Sequence, residues 1–120
     1  MTPAEAERPV RVPFVRACQV FPGRGRPFRA FTANLSVLGA YIASDEPLRV
    51  NQTLRLRFTV PGNVLESEVT GVVVWANPRQ EHPVHSLPCG FGVCFLGLDD
   101  QARRRIEAVV KEWVARRPVR

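Results

Sequence analysis

Apolar and polar residues alternate through most of this chain. Leu54, Leu56, Phe58 and Val60 interleave with Arg55, Arg57 and Thr59, the period-2 pattern of a strand with one buried face. Pro61-Gly62-Asn63 reads as a turn. Beyond it, Leu65, Val69, Val73 and Trp75 share one parity while Glu66, Glu68 and Thr70 take the other. This predicts a long strand with one wet face, in which Gly71 marks a bulge or bend. Upstream, residues 12–21 mix apolar and polar positions at short period and predict a first strand. Pro22-Gly23-Arg24-Gly25-Arg26-Pro27 is a turn by composition, residues 28–33 a second strand and residues 40–43 a third. Three prolines make 76–88 a loop, and Phe91, Val93 and Phe95 resume the alternation in a last strand.

The period changes near residue 99. Ala102, Ile106, Val109, Val110 and Trp113 fall at helical spacing, with Arg103, Arg104, Glu107, Lys111 and Glu112 on the other sides. Asp99 or Asp100 can cap this helix, predicted over about 99–116. Both acids suit the positive end of its dipole, as Arg116 and Arg117 suit the negative one. About five or six short strands followed by one amphipathic helix, without βαβ alternation, argue for a mainly β fold, a closed antiparallel barrel with a packing helix. Residues 1–10, with Pro3 and Pro9, read as a flexible arm ahead of a domain spanning 11–117. Trp75 and Trp113 fall on the apolar faces of their elements and are expected in the core, as are Cys18 and Cys94.

Composition narrows the class. At 120 residues and 45% hydrophobic content, the chain is one domain with a core that needs no staple. No apolar run approaches the roughly 20 residues of a membrane span, and the acid-bearing start is no secretory signal. Cys18, Cys89 and Cys94 show no CxxC spacing, so reduced thiols and a cytoplasmic location are expected. The net charge is +6, and Lys111 is the one lysine among 17 basic residues. Arginine offers a planar fork for phosphate and purine edges. Codon bias in a G+C-rich genome is the plainer account of the chain-wide excess. His82, His85 and Cys89 have zinc-ligand chemistry without zinc-site spacing, and a proline-rich loop explains them better, so no metal is expected. No nucleophile stands with a base and an oxyanion site, so the chain reads as a non-enzyme.

The segment Asn34-x-Ser36-x-x-Gly39 lies between two predicted strands. It resembles the D/N-x-S-x-x-G motif of PilZ domains. Gly71-Val72-Val73-Val74-Trp75 is similar to that family's G-x-V-V-W strand, and Gly90-Phe91-Gly92-Val93-Cys94-Phe95 to its G-x-G-V-x-F strand. The three matches occur in the family's order, over about residues 8–115. The resemblance implies a six-stranded antiparallel barrel with a C-terminal helix, a cyclic di-GMP ligand with no other cofactor, and coupling to a protein partner in motility, biofilm or signalling. It also implies that Trp75 lies near the barrel mouth.

Within that resemblance, Asn34 would meet a guanine edge, Ser36 a phosphate or base, and Gly39 would leave room for close approach. The family's second half-site is an R-x-x-x-R motif on the arm. Arg11 stands at its second arginine, Glu7 at its first, and Arg8 gives R-x-x-R spacing. Arg8, Arg11, Asn34, Ser36 and Gly39 are therefore the candidate ligand residues, with Arg16 as a further arm arginine within reach. The acid at position 7 keeps a second reading open, a PilZ-like protein-interaction module without the nucleotide. A basic barrel binding nucleic acid ranks third, because most aromatics share parity with the core positions.

Overall fold

The computed structural model describes residues 11–59, 66–78 and 87–116. The strands are β1 (Val12–Pro13), β2 (Ala17–Pro22), β3 (Phe28–Leu35), β4 (Gly39–Ala43), β5 (Thr53–Thr59), β6 (Glu66–Asn77) and β7 (Gly90–Leu96), followed by helix α1 (Asp100–Arg116). All pairings are antiparallel. The order β3-β2-β5-β6-β7-β4 closes on itself through β3–β4 into a six-stranded barrel, which leaves these strands no open sheet edge. β1 lies along the far end of β3, with Val12 opposite Leu35 and Pro13 opposite Asn34.

The first strand predicted at 12–21 is thus two strands, broken at Phe14–Arg16. The Thr32 hydroxyl repairs the break. It donates to Phe14 O at 2.6 Å and accepts the Arg16 N–H at 2.9 Å. Thr32 is buried, so without this hydroxyl both backbone groups would lose their partner in a dry place.

Alternation decides what fills the barrel. Val20, Leu54, Leu56, Phe58, Val69, Val73, Phe91, Val93 and Phe95 point inward and form one core cluster with Ile42, Leu35 and Phe14. Arg55 and Arg57 stand on the wet face between them, as their parity predicts. Cys18 is in this core, and burial pushes its thiol up to about 11, so it is protonated and unreactive at neutral pH. Cys94 is only half-buried.

Gly71 departs from expectation. It sits in register opposite Phe95, with no bend. What requires glycine there is the Val93 side chain, which a Cβ at 71 would overlap. The irregularity in β6 falls instead at Val74, between Val73 and Trp75.

Asp99 caps α1, its carboxylate accepting the Ala102 N–H at 2.7 Å. Ala102 and Ile106 join the core, and Val109 packs against it. The core lies under only the first turns of the helix. Trp113, expected inside, is therefore exposed along with Val114. No described helix is long and apolar enough to cross a membrane.

Candidate functional site

Two bulges build the site. In β3, even-numbered residues face inward up to Thr32, while Arg29 and Phe31 face out. Register with β4 then slips by one residue, from Thr32 opposite Ile42 to Asn34 opposite Tyr41. Ala33 is the extra residue. A one-residue slip exchanges the faces of everything beyond it, so Leu35 turns into the core and Asn34 turns out.

The same happens in β6. Val73 pairs with Val93 and Trp75 with Gly92, leaving Val74 as the extra residue. Trp75, which shares parity with core residues in the sequence, is thereby moved to the outer wall. It sits on the side of the barrel, not in the core.

Pairing across four strands then lines up Asn34, Tyr41, Gly92 and Trp75 in a single outward row. The Tyr41 and Trp75 rings lie 5.4 Å apart between centroids, tilted by 44°. Gly92 contributes no side chain between the strands that carry them. The result is a cleft of about 270 Å³ lined by Arg11, Asn34, Tyr41, Val74, Trp75, Leu87, Gly92 and Val93.

Its wall is anchored by hydrogen bonds. Tyr41 Oη donates to Pro88 O at 2.5 Å and accepts from Asn77 Nδ2 at 3.1 Å. Burial holds the Tyr41 phenol above its ordinary pKa, against the opposing effect of the Asn77 hydrogen bond. This phenol is a structural tie that fixes residues 87–88 beside the cleft.

At the rim, Arg11 Nη1 donates to Asn34 Oδ1 at 2.7 Å across a separation of 23 residues. The same oxygen accepts the Tyr41 N–H at 3.1 Å. Both bonds fall on Oδ1, which leaves the Asn34 NH₂ and the remaining Arg11 N–H groups as donors at the cleft edge. The described lining contains no carboxylate, serine, cysteine or histidine. Such a cleft can hold an anionic ligand with a flat ring. Among the described lining residues, none is placed for acid–base or nucleophilic chemistry.

The other sequence candidates lie elsewhere. Ser36 is buried, and its hydroxyl accepts the Leu38 and Gly39 N–H groups at 3.1 and 3.3 Å while lying 3.4 Å from Gly39 O. Ser36 N also donates to Gly39 O at 2.8 Å. The hydroxyl thus closes its own turn and does not face the cleft. Gly39 is buried against β7, where an added Cβ would overlap Val93 O. Arg16 is exposed, with its guanidinium 6.0 Å from the Phe14 ring centroid. Arg8, Glu7, His82 and His85 lie outside the described residues. Among those described, no group of His, Cys, Asp or Glu is placed to hold a metal.

Sequence reasoning passed over Tyr41, Leu87, Val74 and Gly92. The uninterrupted apolar run of β4 shows no face to read. The Val72-Val73-Val74 run, which breaks the alternation ahead of Trp75, is the one signal that marked the second bulge.

A family model described as PilZ domain matches residues 5–112. No curated protein sequence matches the chain. Among solved structures, the PilZ domain of CeSA from a cellulose-synthesizing bacterium is similar at TM-score 0.59 and 14% identity, covering 88% of this chain and 98% of that one. The PilZ domain of Escherichia coli YcgR, solved with c-di-GMP, is similar at TM-score 0.65 and 14% identity, with 92% and 94% covered. The Bacillus subtilis inhibitor of motility MotI/DgrA is similar at TM-score 0.67 and 16% identity over 93% of this chain and 53% of that one. At such identities the structures speak for the fold.

Proposed function

This chain belongs to the PilZ domain family, a family of cyclic di-GMP receptor modules, and from that premise we propose that it is a cytoplasmic cyclic di-GMP receptor acting as an adaptor toward a protein partner. The observation that carries the reading is the Arg11–Asn34 hydrogen bond at the rim of the Trp75 cleft. It holds a guanidinium and a carboxamide side by side, the two groups best suited to a guanine edge and a phosphate. Trp75 offers a flat face against which one base can stack.

The cleft, about 270 Å³, is near the lower end of the roughly 300–1,000 Å³ usual for small-molecule sites. A two-base ligand therefore extends beyond it, past Arg11 at the rim. On this reading Arg8 or Arg16 completes the clamp, and ordering of the arm alters the surface offered to the partner.

Calorimetric titration with cyclic di-GMP tests the proposal. Micromolar binding is expected, weakened at least about tenfold by Arg11→Ala, the usual cost of one lost charge-assisted pair. Absence of heat at high ligand concentration overturns it.

Two observations favour a second reading, an interaction module that has lost the nucleotide. The Ser36 hydroxyl and the Leu38 and Gly39 N–H groups are satisfied within their own turn, and Glu7 stands where an arginine would read guanine. Under this reading the wild type is silent in the titration. If Glu7→Arg then confers binding, the defect lies on the arm.

A further inference from the structure

Away from the cleft, at the other end of β3, the β2–β3 turn and the loop leading into β5 enclose a basin of about 490 Å³. It is lined by Gly23, Arg24, Arg49, Gln52 and Thr53. The walls are held firmly. Gly23 N donates to Thr53 O at 3.2 Å, and Gln52 N to Arg49 O at 3.1 Å. The Gln52 side-chain carbonyl accepts the Arg49 N–H at 3.2 Å. Asn51, in the left-handed region at φ 75°, turns the loop so that its N–H meets Val73 O at 2.7 Å, while Val73 N returns to Gln52 O at 2.9 Å. The loop is thus fastened to β6 on both sides of its tightest residue.

The charge here is unbalanced. On the neighbouring wall, Arg55 and Arg57 both bind Glu68, at 2.6 and 3.3 Å, and both lie over the Phe21 ring. Their hydrogen bonds hold the Glu68 carboxyl below its ordinary pKa. Arg24 and Arg49 have no such acid among the described residues. Among the described residues no carboxylate pairs with either guanidinium, and none lines the basin. Two arginines share one preformed concavity whose described lining carries no counter-charge.

We infer that this basin is a docking site for an acidic segment of a partner protein, with Arg24 and Arg49 each taking a carboxylate through the guanidinium fork. The fork matches carboxylate geometry in pairs of parallel hydrogen bonds. Nucleic acid is the poorer fit. The described lining has no aromatic ring on which a base could stack, and two cations reach few phosphates. The inference stands independently of the nucleotide reading, because the basin shares no described lining residue with the cleft.

The test uses the full chain without nucleotide. An oligoglutamate peptide is titrated while backbone amide resonances are followed. Shifts are expected to concentrate at Gly23–Gly25 and Arg49–Thr53. Combined Arg24→Glu and Arg49→Glu should weaken binding at least about tenfold, whereas the charge-matched Arg103→Glu with Arg104→Glu on α1 should change it by less than about twofold. The amide spectra also report that both variants remain folded.

Three results overturn the proposal. The first is no shift at the basin with millimolar peptide, and the second is an equal loss in the α1 variant, which would mark a diffuse effect of net charge. The third is tighter binding at the basin of a phosphoserine peptide or single-stranded oligonucleotide of the same charge, which would assign the site to phosphate.

Discussion

Two parts of one short segment do different work. Asn34 faces out, bonded to Arg11 and to the Tyr41 backbone at the cleft rim. Ser36 and Gly39, a few residues further on, face in and build the turn from β3 to β4. The bulge at Ala33 separates these roles by changing which face each position meets. A motif that reads as one ligand signature is therefore, in space, one rim residue followed by a structural turn. Substitutions should separate them, since turn residues act on stability and rim residues on binding.

The largest effect is expected at Gly39. A Cβ there overlaps a backbone carbonyl of β7, which cannot move without shifting the strand. Gly39→Ala should cost about 3 kcal/mol or more, read as a lowered urea midpoint. A midpoint near wild type would show that β4 and β7 can separate locally, and the inward half of the segment would lose its structural meaning.

Ser36→Ala comes next. It strips the acceptor from the Leu38 and Gly39 N–H groups in a buried turn, at about 1–3 kcal/mol. Nucleotide affinity measured well below the unfolding transition should stay within about twofold of wild type. A larger affinity loss at full folding would move Ser36 to the ligand side of the division.

This division also marks the limit of what the chain's pattern reveals. β5 and β7 were legible because their alternation is unbroken and one face is wholly apolar. The Asp99 cap and the helix were legible for the same kind of reason, a local signal with a local cause. The faces of Asn34 and Trp75 were not. A bulge adds one residue to a strand without altering composition, and only pairing with the neighbouring strand reveals it. Trp113 illustrates a different failure. Its helical spacing is right, but spacing cannot say how far the barrel extends beneath the helix. For the candidate site, the chemistry of Arg11 and Asn34 was readable, whereas the aromatic wall of Tyr41 and Trp75 depended on two register slips.

Asn34 tests the boundary itself, because its Oδ1 serves both halves. Asn34→Ala removes the acceptor for the Tyr41 N–H, at about 1 kcal/mol of stability, and releases Arg11 from its fixed position. Both thermal midpoint and nucleotide affinity should fall. Asn34→Asp separates the contributions. It keeps the acceptor and strengthens the bond to Arg11, but it replaces the outward NH₂ donor with an oxygen. Restored stability with a change in affinity is the expected result. Restoration of neither would mean that the Tyr41 bond contributes nothing.

The smallest change in stability is expected at Arg11. Its guanidinium is exposed, and its one described hydrogen bond is to a side chain at the surface, where water replaces a lost partner readily. Arg11→Ala should therefore leave unfolding free energy within about 0.5 kcal/mol of wild type while cyclic di-GMP affinity falls at least about tenfold. Arg11→Lys refines the point, since lysine keeps the charge but presents no planar fork; affinity close to that of the alanine variant would assign the effect to geometry. The informative failure is a stability loss as large as that of Ser36→Ala. In that case the Arg11–Asn34 bond is part of what holds β1 against β3, and rim and turn are one structural unit.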